Sequence, residues 1–298
     1  MTVPTPRKMA ALLAGLLLVP AAASAEPVAF LFEQALYQDA KEAPLKTPEG
    51  VACSEEKVVV ADTGNGRLLS YPFKNGRLGA GAELKLVQVS YPTRVQLDSH
   101  GGILVLDGKT HRIARLDDKG AFGGLVEPRG VANASSVVVG SFKVDASDNL
   151  YLLDVAGRRV LVLEANGGGR QLELPAGGQF TDVAVDAAGT LYALDAVGAA
   201  VWAAEKGSSA FHALTKGMKD RMNFPVYLTA RQGKLFLVDA HGNGIVVLGI
   251  DGSFQGRQLS IGWNEGFVYY PSQLCFTQSA AFVADRYNNR VQEFSLVQ

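Results

Sequence analysis

Four pairs of opposite charge recur along this chain at one spacing: Asp62 with Arg67, Asp107 with Arg112, Asp154 with Arg159, and Asp285 with Arg290. A carboxylate and a guanidinium five residues apart meet when a tight turn separates them, and can then share a charge-assisted hydrogen bond. A ring of such carboxylates could instead hold a metal ion or a substrate. The structural role is the better reading, because a site residue has no reason to recur in every repeat. Asp195 and Asp239 stand in the same frame, but Ala200 and Gly244 take the place of the arginine. These two carboxylates are expected to accept backbone N–H groups of their own turns.

Other reactive residue types are sparse. The histidines are His100, His111, His212 and His241, and none falls in a metal-ligand spacing. No nucleophile elbow, phosphate loop or Cys-x-x-Cys occurs, and Gly167-Gly168-Gly169 lies between strands rather than opening a helix. No catalytic residue, metal or cofactor is assigned on this basis. Cys53 and Cys275 lie near the two ends of the chain. Either they form a disulfide or they are two buried thiols.

The elements that position these residues are strand–turn–strand units. VVADTGNGRL (59–68), LVLDGKTHRI (104–113), YLLDVAGRRV (151–160), YALDAVGAAV (192–201), FLVDAHGNGI (236–245) and FVADRYNNRV (282–291) share one frame. Their aspartates are separated by 45, 47, 41, 44 and 46 residues. A period of that size marks a repeat architecture. An inner strand precedes each hairpin, as at 50–53, 93–97 and 226–230, with Pro48, Pro92, Pro225 and Pro271 at four of the entries. An outer strand follows, as at 82–89, 170–174, 211–215 and 253–260. The fold class is therefore all-β: a six-bladed β-propeller of four-stranded antiparallel blades. The sixth repeat ends without an outer strand, and residues 28–37 (VAFLFEQALY) belong to no other blade. The last blade is expected to be closed by this N-terminal strand. Residues 127–139, at the entry to the third blade, fit the repeat poorly.

Residues 1–25 read as a signal peptide, with Arg7 and Lys8, an apolar run from Met9 to Val19, and Ala23-Ser24-Ala25 before the cut. Residues 26–298 form one propeller domain, exported to the periplasm or beyond the cell. No further stretch is apolar enough to span a membrane. The net charge is −1, and loss of Arg7 and Lys8 takes it to −3, which argues against a nucleic-acid partner.

The units TPEGVACSEEKVVVADTGNGRL (47–68) and FVADRYNNRVQEF (282–294) resemble the NHL repeat family. That family has a Pro-x-Gly-Val-Ala-Val inner strand, a strand ending Val-Ala-Asp, an Asn-bearing turn, and Arg-Val on the return. The resemblance covers the mature chain and weakens through the middle blades. It implies a six-bladed propeller, and its members include binding modules and lyases, with lactonases among related propellers.

Hairpin turns and blade-to-blade connections fall on one face of such a ring. Two connections there are richer than turns need to be. KGMKDRMNF (216–224) holds Lys216, Lys219 and Arg221; IGWNEGFVYY (261–270) holds Trp263, Tyr269 and Tyr270. With His241 and Arg286 from neighbouring turns they form the candidate binding surface, since cations beside aromatics suit recognition of a partner. The favoured function is a monomeric, non-enzymatic scaffold that binds a protein or cell-envelope partner through this face. The alternative is a lactonase-like hydrolase or lyase with a metal at the central channel.

Overall fold

The structure is a computed structural model that describes Met1 and residues 28–297. The expected leader, residues 1–25, lies outside them but for Met1. Six antiparallel sheets follow one another in a ring, each with its inner strand at the central channel. The inner strands are Gly50–Cys53, Pro92–Leu97, Val139–Val144, Phe180–Val185, Pro225–Arg231 and Pro271–Phe276, for blades 1 to 6. Second strands such as Ile103–Asp107 and Leu150–Asp154 are buried along their whole length. That explains their weak alternation, because both faces pack on neighbouring blades. The core is correspondingly divided into six apolar clusters, each lying between two adjacent blades.

Blade 6 consists of Pro271–Phe276, Ala280–Asp285, Arg290–Val297 and the N-terminal strand Ala29–Leu36. The N-terminal strand pairs antiparallel with Arg290–Val297, from Ala29 opposite Val297 to Leu36 opposite Val291. The two ends of the chain thus share one sheet, which closes the ring. Cys53, on the inner strand of blade 1, is disulfide-bonded to Cys275, on the inner strand of blade 6, with the Cα atoms 5.9 Å apart. This bond crosses the same seam and encloses a sequence separation of 222 residues. Outer strands are shorter than their sequence suggests: Ala82–Leu84 and His212–Ala213 in blades 1 and 4. Residues 127–139 hold a short 3-10 turn, Ala134–Ser136, and place Val131 and Val137 against the cluster between blades 2 and 3.

Each second strand ends on a buried aspartate, and each aspartate accepts a hydrogen bond from the backbone N–H sixteen residues upstream. The donors are Lys46, Tyr91, Val138, Gln179, Asn223 and Tyr269, at 2.7 to 3.2 Å. The carboxylate also binds its own turn: the Asn65 and Asn288 side chains in blades 1 and 6, and turn N–H groups in the other four. The arginine five residues on completes the pattern in three blades, Arg67 to Asp62, Arg159 to Asp154 and Arg290 to Asp285, at 2.7, 2.8 and 2.7 Å.

Two expectations need correction. Arg112 does not reach Asp107; it is exposed and pairs with Glu127 at 2.9 Å. Asp107 relies on four backbone donors instead, Thr110, Ser90, Lys109 and Tyr91. Burial pushes this carboxyl up, but those amides outweigh it and hold it below its ordinary range. Asp239 is not without a guanidinium: Arg257, from the outer strand Phe254–Gln258, lies 2.8 Å away. The arginine comes from the next strand because Gly244 leaves its usual place open.

Arg290 and Asp285 are both nearly inaccessible, and burial pushes the Asp285 carboxyl up despite its donors. Arg290→Ala should therefore cost about 3–5 kcal/mol, whereas Arg112→Ala should cost less than about 1 kcal/mol. Urea unfolding checks the contrast, and equal losses would refute it. Replacing Cys53 and Cys275 together by Ala should lower stability by about 5 kcal/mol on the chain-entropy account. An unchanged urea midpoint would mean that strand pairing alone holds the seam.

Candidate functional site

On the face bearing the hairpin turns, six rings of blades 5 and 6 form a continuous file. Phe224 stacks on His241 at 4.9 Å between centroids and 22° between planes. His241 meets Tyr270 at 5.3 Å, and Tyr270 meets Tyr287 and Tyr269 at 4.8 and 5.3 Å. Tyr269 in turn contacts Tyr287 at 5.5 Å and Trp263 at 6.3 Å. Trp263 ends the file 75% exposed. The Arg286 guanidinium lies 5.1 Å from the Tyr287 ring centre and pairs with Glu49 at 2.9 Å. Its Nε is buried with no hydrogen-bond partner among the described residues.

The backbone holds these rings in place. Phe224 and Tyr270 both precede a proline and both have positive φ, 60° and 50°. Bulky side chains rarely occupy that region, and such strain persists only where the surroundings enforce it. Here the Tyr270 N–H donates to the Asn243 side chain at 2.8 Å, and the Tyr287 N–H to the Tyr269 carbonyl at 3.1 Å. Asn243 itself is left-handed, at φ 55° in the turn of blade 5, so one asparagine both closes a turn and seats the next blade's aromatic. The Asn289 side chain repeats the contact by accepting from the Thr47 N–H across the ring seam.

The structure therefore gathers Trp263, Tyr269, Tyr270, His241 and Arg286, and adds Phe224 and Tyr287. Phe224 ends a segment already singled out for its basic residues, and its place before Pro225, matching Tyr270 before Pro271, was the available signal. Lys216, Lys219 and Arg221 do not join the file. Lys216 and Lys219 are exposed. Arg221 pairs with Asp220 at 2.9 Å and lies over Phe254 of the outer strand. Met218 and Met222 of the same connection pack into the core between blades 4 and 5.

The channel holds a second set of polar side chains that the sequence reading passed over. Asp182 is fully buried and accepts from Ser141 Oγ at 2.5 Å, Lys143 Nζ at 2.9 Å and the Leu228 N–H at 2.7 Å. Lys143 Nζ also sits 3.3 Å from the centre of the Tyr227 ring. The Tyr227 hydroxyl accepts from Gln96, Arg94 reaches across to the Val226 carbonyl, and Gln273 bonds both backbone groups of Val95. Gly50 makes room for this: a Cβ there would stand 3.2 Å from the Gln273 side-chain oxygen and 2.9 Å from the Ala61 Cβ. The signal was a polar residue at one register of successive inner strands, Arg94, Ser141, Asp182, Tyr227 and Gln273.

Among the described residues, one trio of ligand-type side chains lies close enough to share an ion: Asp98, His100 and Asp148. It joins turns of blades 2 and 3 on the face away from the hairpins and is not in the channel. Its members bond one another's turns, Asp148 accepting from the Ser99 N–H and hydroxyl.

A scan against protein-family models finds no match, nor does a search of curated proteins. Solved structures do match in shape. A gluconolactonase from Xanthomonas campestris aligns with a TM-score of 0.66 at 16% identity, over 91% of this chain and 95% of that one. Virginiamycin B lyase from Staphylococcus aureus aligns with a TM-score of 0.65 at 14% identity, over 91% of this chain and all of that one. A chain of the nidogen/laminin complex aligns with a TM-score of 0.58 at 16% identity, over 78% of this chain and 91% of that one. At these identities the likeness is one of fold. The chain is a six-bladed propeller, and among the described residues no helix is long and apolar enough to cross a membrane.

Asp182→Ala should cost about 3–5 kcal/mol, since it strands the Lys143 charge in the channel and leaves the Leu228 N–H without its acceptor. Adding Lys143→Met should recover most of that loss in urea unfolding. A double variant no more stable than Asp182→Ala would show that the charge pair is not the cause.

Proposed function

We propose that this chain is an exported NHL-type propeller that binds a protein or cell-envelope partner through its hairpin-turn face. The observation that carries the reading is the aromatic file from Phe224 to Trp263. Trp263, Tyr287 and Phe224 are exposed, Phe224 and Tyr270 are seated on a strained backbone, and a cation lies over Tyr287. Tyr, Trp and Arg are the side chains that concentrate binding energy at interfaces. Rigid rings lose little conformational entropy when covered. One fold neighbour comes from a protein–protein complex, which supports the reading by analogy of fold alone.

A hydrolase or lyase is the second reading, supported by the gluconolactonase and lyase among the fold neighbours. The channel network weighs against it. Lys143, Asp182, Tyr227 and Gln96 are already engaged with one another.

In capture from a cell-envelope fraction, Trp263→Ala should weaken retention of the bound partner about thirtyfold, the loss of about 2 kcal/mol expected of a hot spot. Arg221→Ala, outside the file, should retain it. Equal retention by wild type and Trp263→Ala would remove this face from the proposal. Stoichiometric calcium or zinc in protein purified without chelator would favour the enzymatic reading instead.

A further inference from the structure

The far end of the channel, opposite the hairpin turns, opens into a funnel. Its main cavity is about 850 Å³, and a smaller one of about 290 Å³ shares Gln96, Thr229 and Ala230 with it. The larger volume lies in the range of small-molecule sites. Part of its wall is apolar, formed by Leu97, Ala230, Leu274, Phe276 and the Cys53–Cys275 disulfide. Its floor is polar, with Gln96, Thr229 and the Tyr227 hydroxyl. A cavity with apolar walls and few convergent polar groups favours a ligand that is itself divided into an apolar body and a polar head.

One wall carries a cation with no carboxylate in direct contact. Arg231 is half-buried at the end of the inner strand of blade 5, with its guanidinium 4.8 Å from the Phe276 ring centre. It donates to the Thr277 and Gln278 carbonyls, and among the described residues no carboxylate lies within 4.0 Å of it. Burial pushes this guanidinium below its ordinary range, and Glu55 at the rim only partly offsets that. A half-buried charge whose direct partners are two carbonyls and a ring face gains from an anion brought into the same low-dielectric site. The acidic turns at the rim, Glu55, Asp145 and Asp186, would repel a ligand of high charge.

We infer that this funnel is a second binding site, independent of the aromatic face, for a small molecule with an apolar body and one anionic head group set against Arg231. The probe 8-anilinonaphthalene-1-sulfonate has this chemistry. Titrated into the folded full chain, it should give a saturable fluorescence gain at one site per chain. Arg231→Gln should raise its Kd tenfold or more, and Arg231→Lys should raise it less. Ala230→Trp should fill the cavity and abolish binding. The uncharged analogue N-phenyl-1-naphthylamine should bind at least tenfold more weakly.

Because such dyes also bind loosened proteins, each variant must keep the wild-type near-ultraviolet circular dichroism and thermal midpoint. If Ala230→Trp fails this, Arg231→Gln decides. Trp263→Ala should titrate as wild type, so failure here and failure of the turn-face interface are separately visible. Absence of saturable binding overturns the inference. So does an Arg231→Gln variant that binds like wild type.

Discussion

Everything in this ring hangs on a buried carboxylate at the end of each second strand. Its side chain accepts from the backbone N–H of the chain entering the blade, sixteen residues earlier, and from its own turn. The entering segment, whose carbonyl in five blades accepts from the hairpin backbone, is thereby pinned to the hairpin through its N–H as well. A buried donor left unpaired would cost about 1–3 kcal/mol, so six repeats of this contact hold six entries in one geometry. The arginine is the variable part. It comes from the third strand in blades 1, 3 and 6 and from the outer strand in blade 5, and at Asp107 and Asp195 backbone amides take its place.

A ring of blades has one weak place, where the chain's two ends meet. Here it is held three ways. The N-terminal strand completes blade 6, the Cys53–Cys275 bond joins the inner strands of blades 6 and 1, and the Asn289 side chain ties the blade 6 turn to Thr47. The first closes the sheet, the second limits the unfolded chain, and the third sets the turn face across the seam. The apolar cluster between these two blades, with Phe73 against Phe282 at 5.2 Å, makes the junction as dry as the other five.

The same geometry gives the two faces different characters. On the turn face, each entry segment passes over its neighbour's turn, so bulky residues before proline are thrust outward, as Phe224 and Tyr270 are. On the far face the inner strands end and splay, leaving a funnel rather than a platform. Between them the channel is crossed by polar side chains, with Lys143 between Asp182 and the Tyr227 ring. Arg94, Lys143, Asp182 and Tyr227 thus tie the inner strands of different blades together across the channel.

The sequence by itself determined the number of blades, the strand order within them and the closure by the N-terminal strand. Those follow from a local pattern, aspartate and turn recurring every 41 to 47 residues, and local patterns need no partner to be seen. It also marked most of the aromatic surface, because Trp263, Tyr269 and Tyr270 stand together in one connection. The tertiary structure alone decided which arginine serves which aspartate, as Arg112 and Arg257 show. It alone added Phe224 and Tyr287 to the file, and it alone turned Arg94, Lys143, Asp182 and Tyr227 inward. The reason is physical. These contacts join residues of different blades, and the spacing between blades is set by packing of their faces, which no single repeat contains.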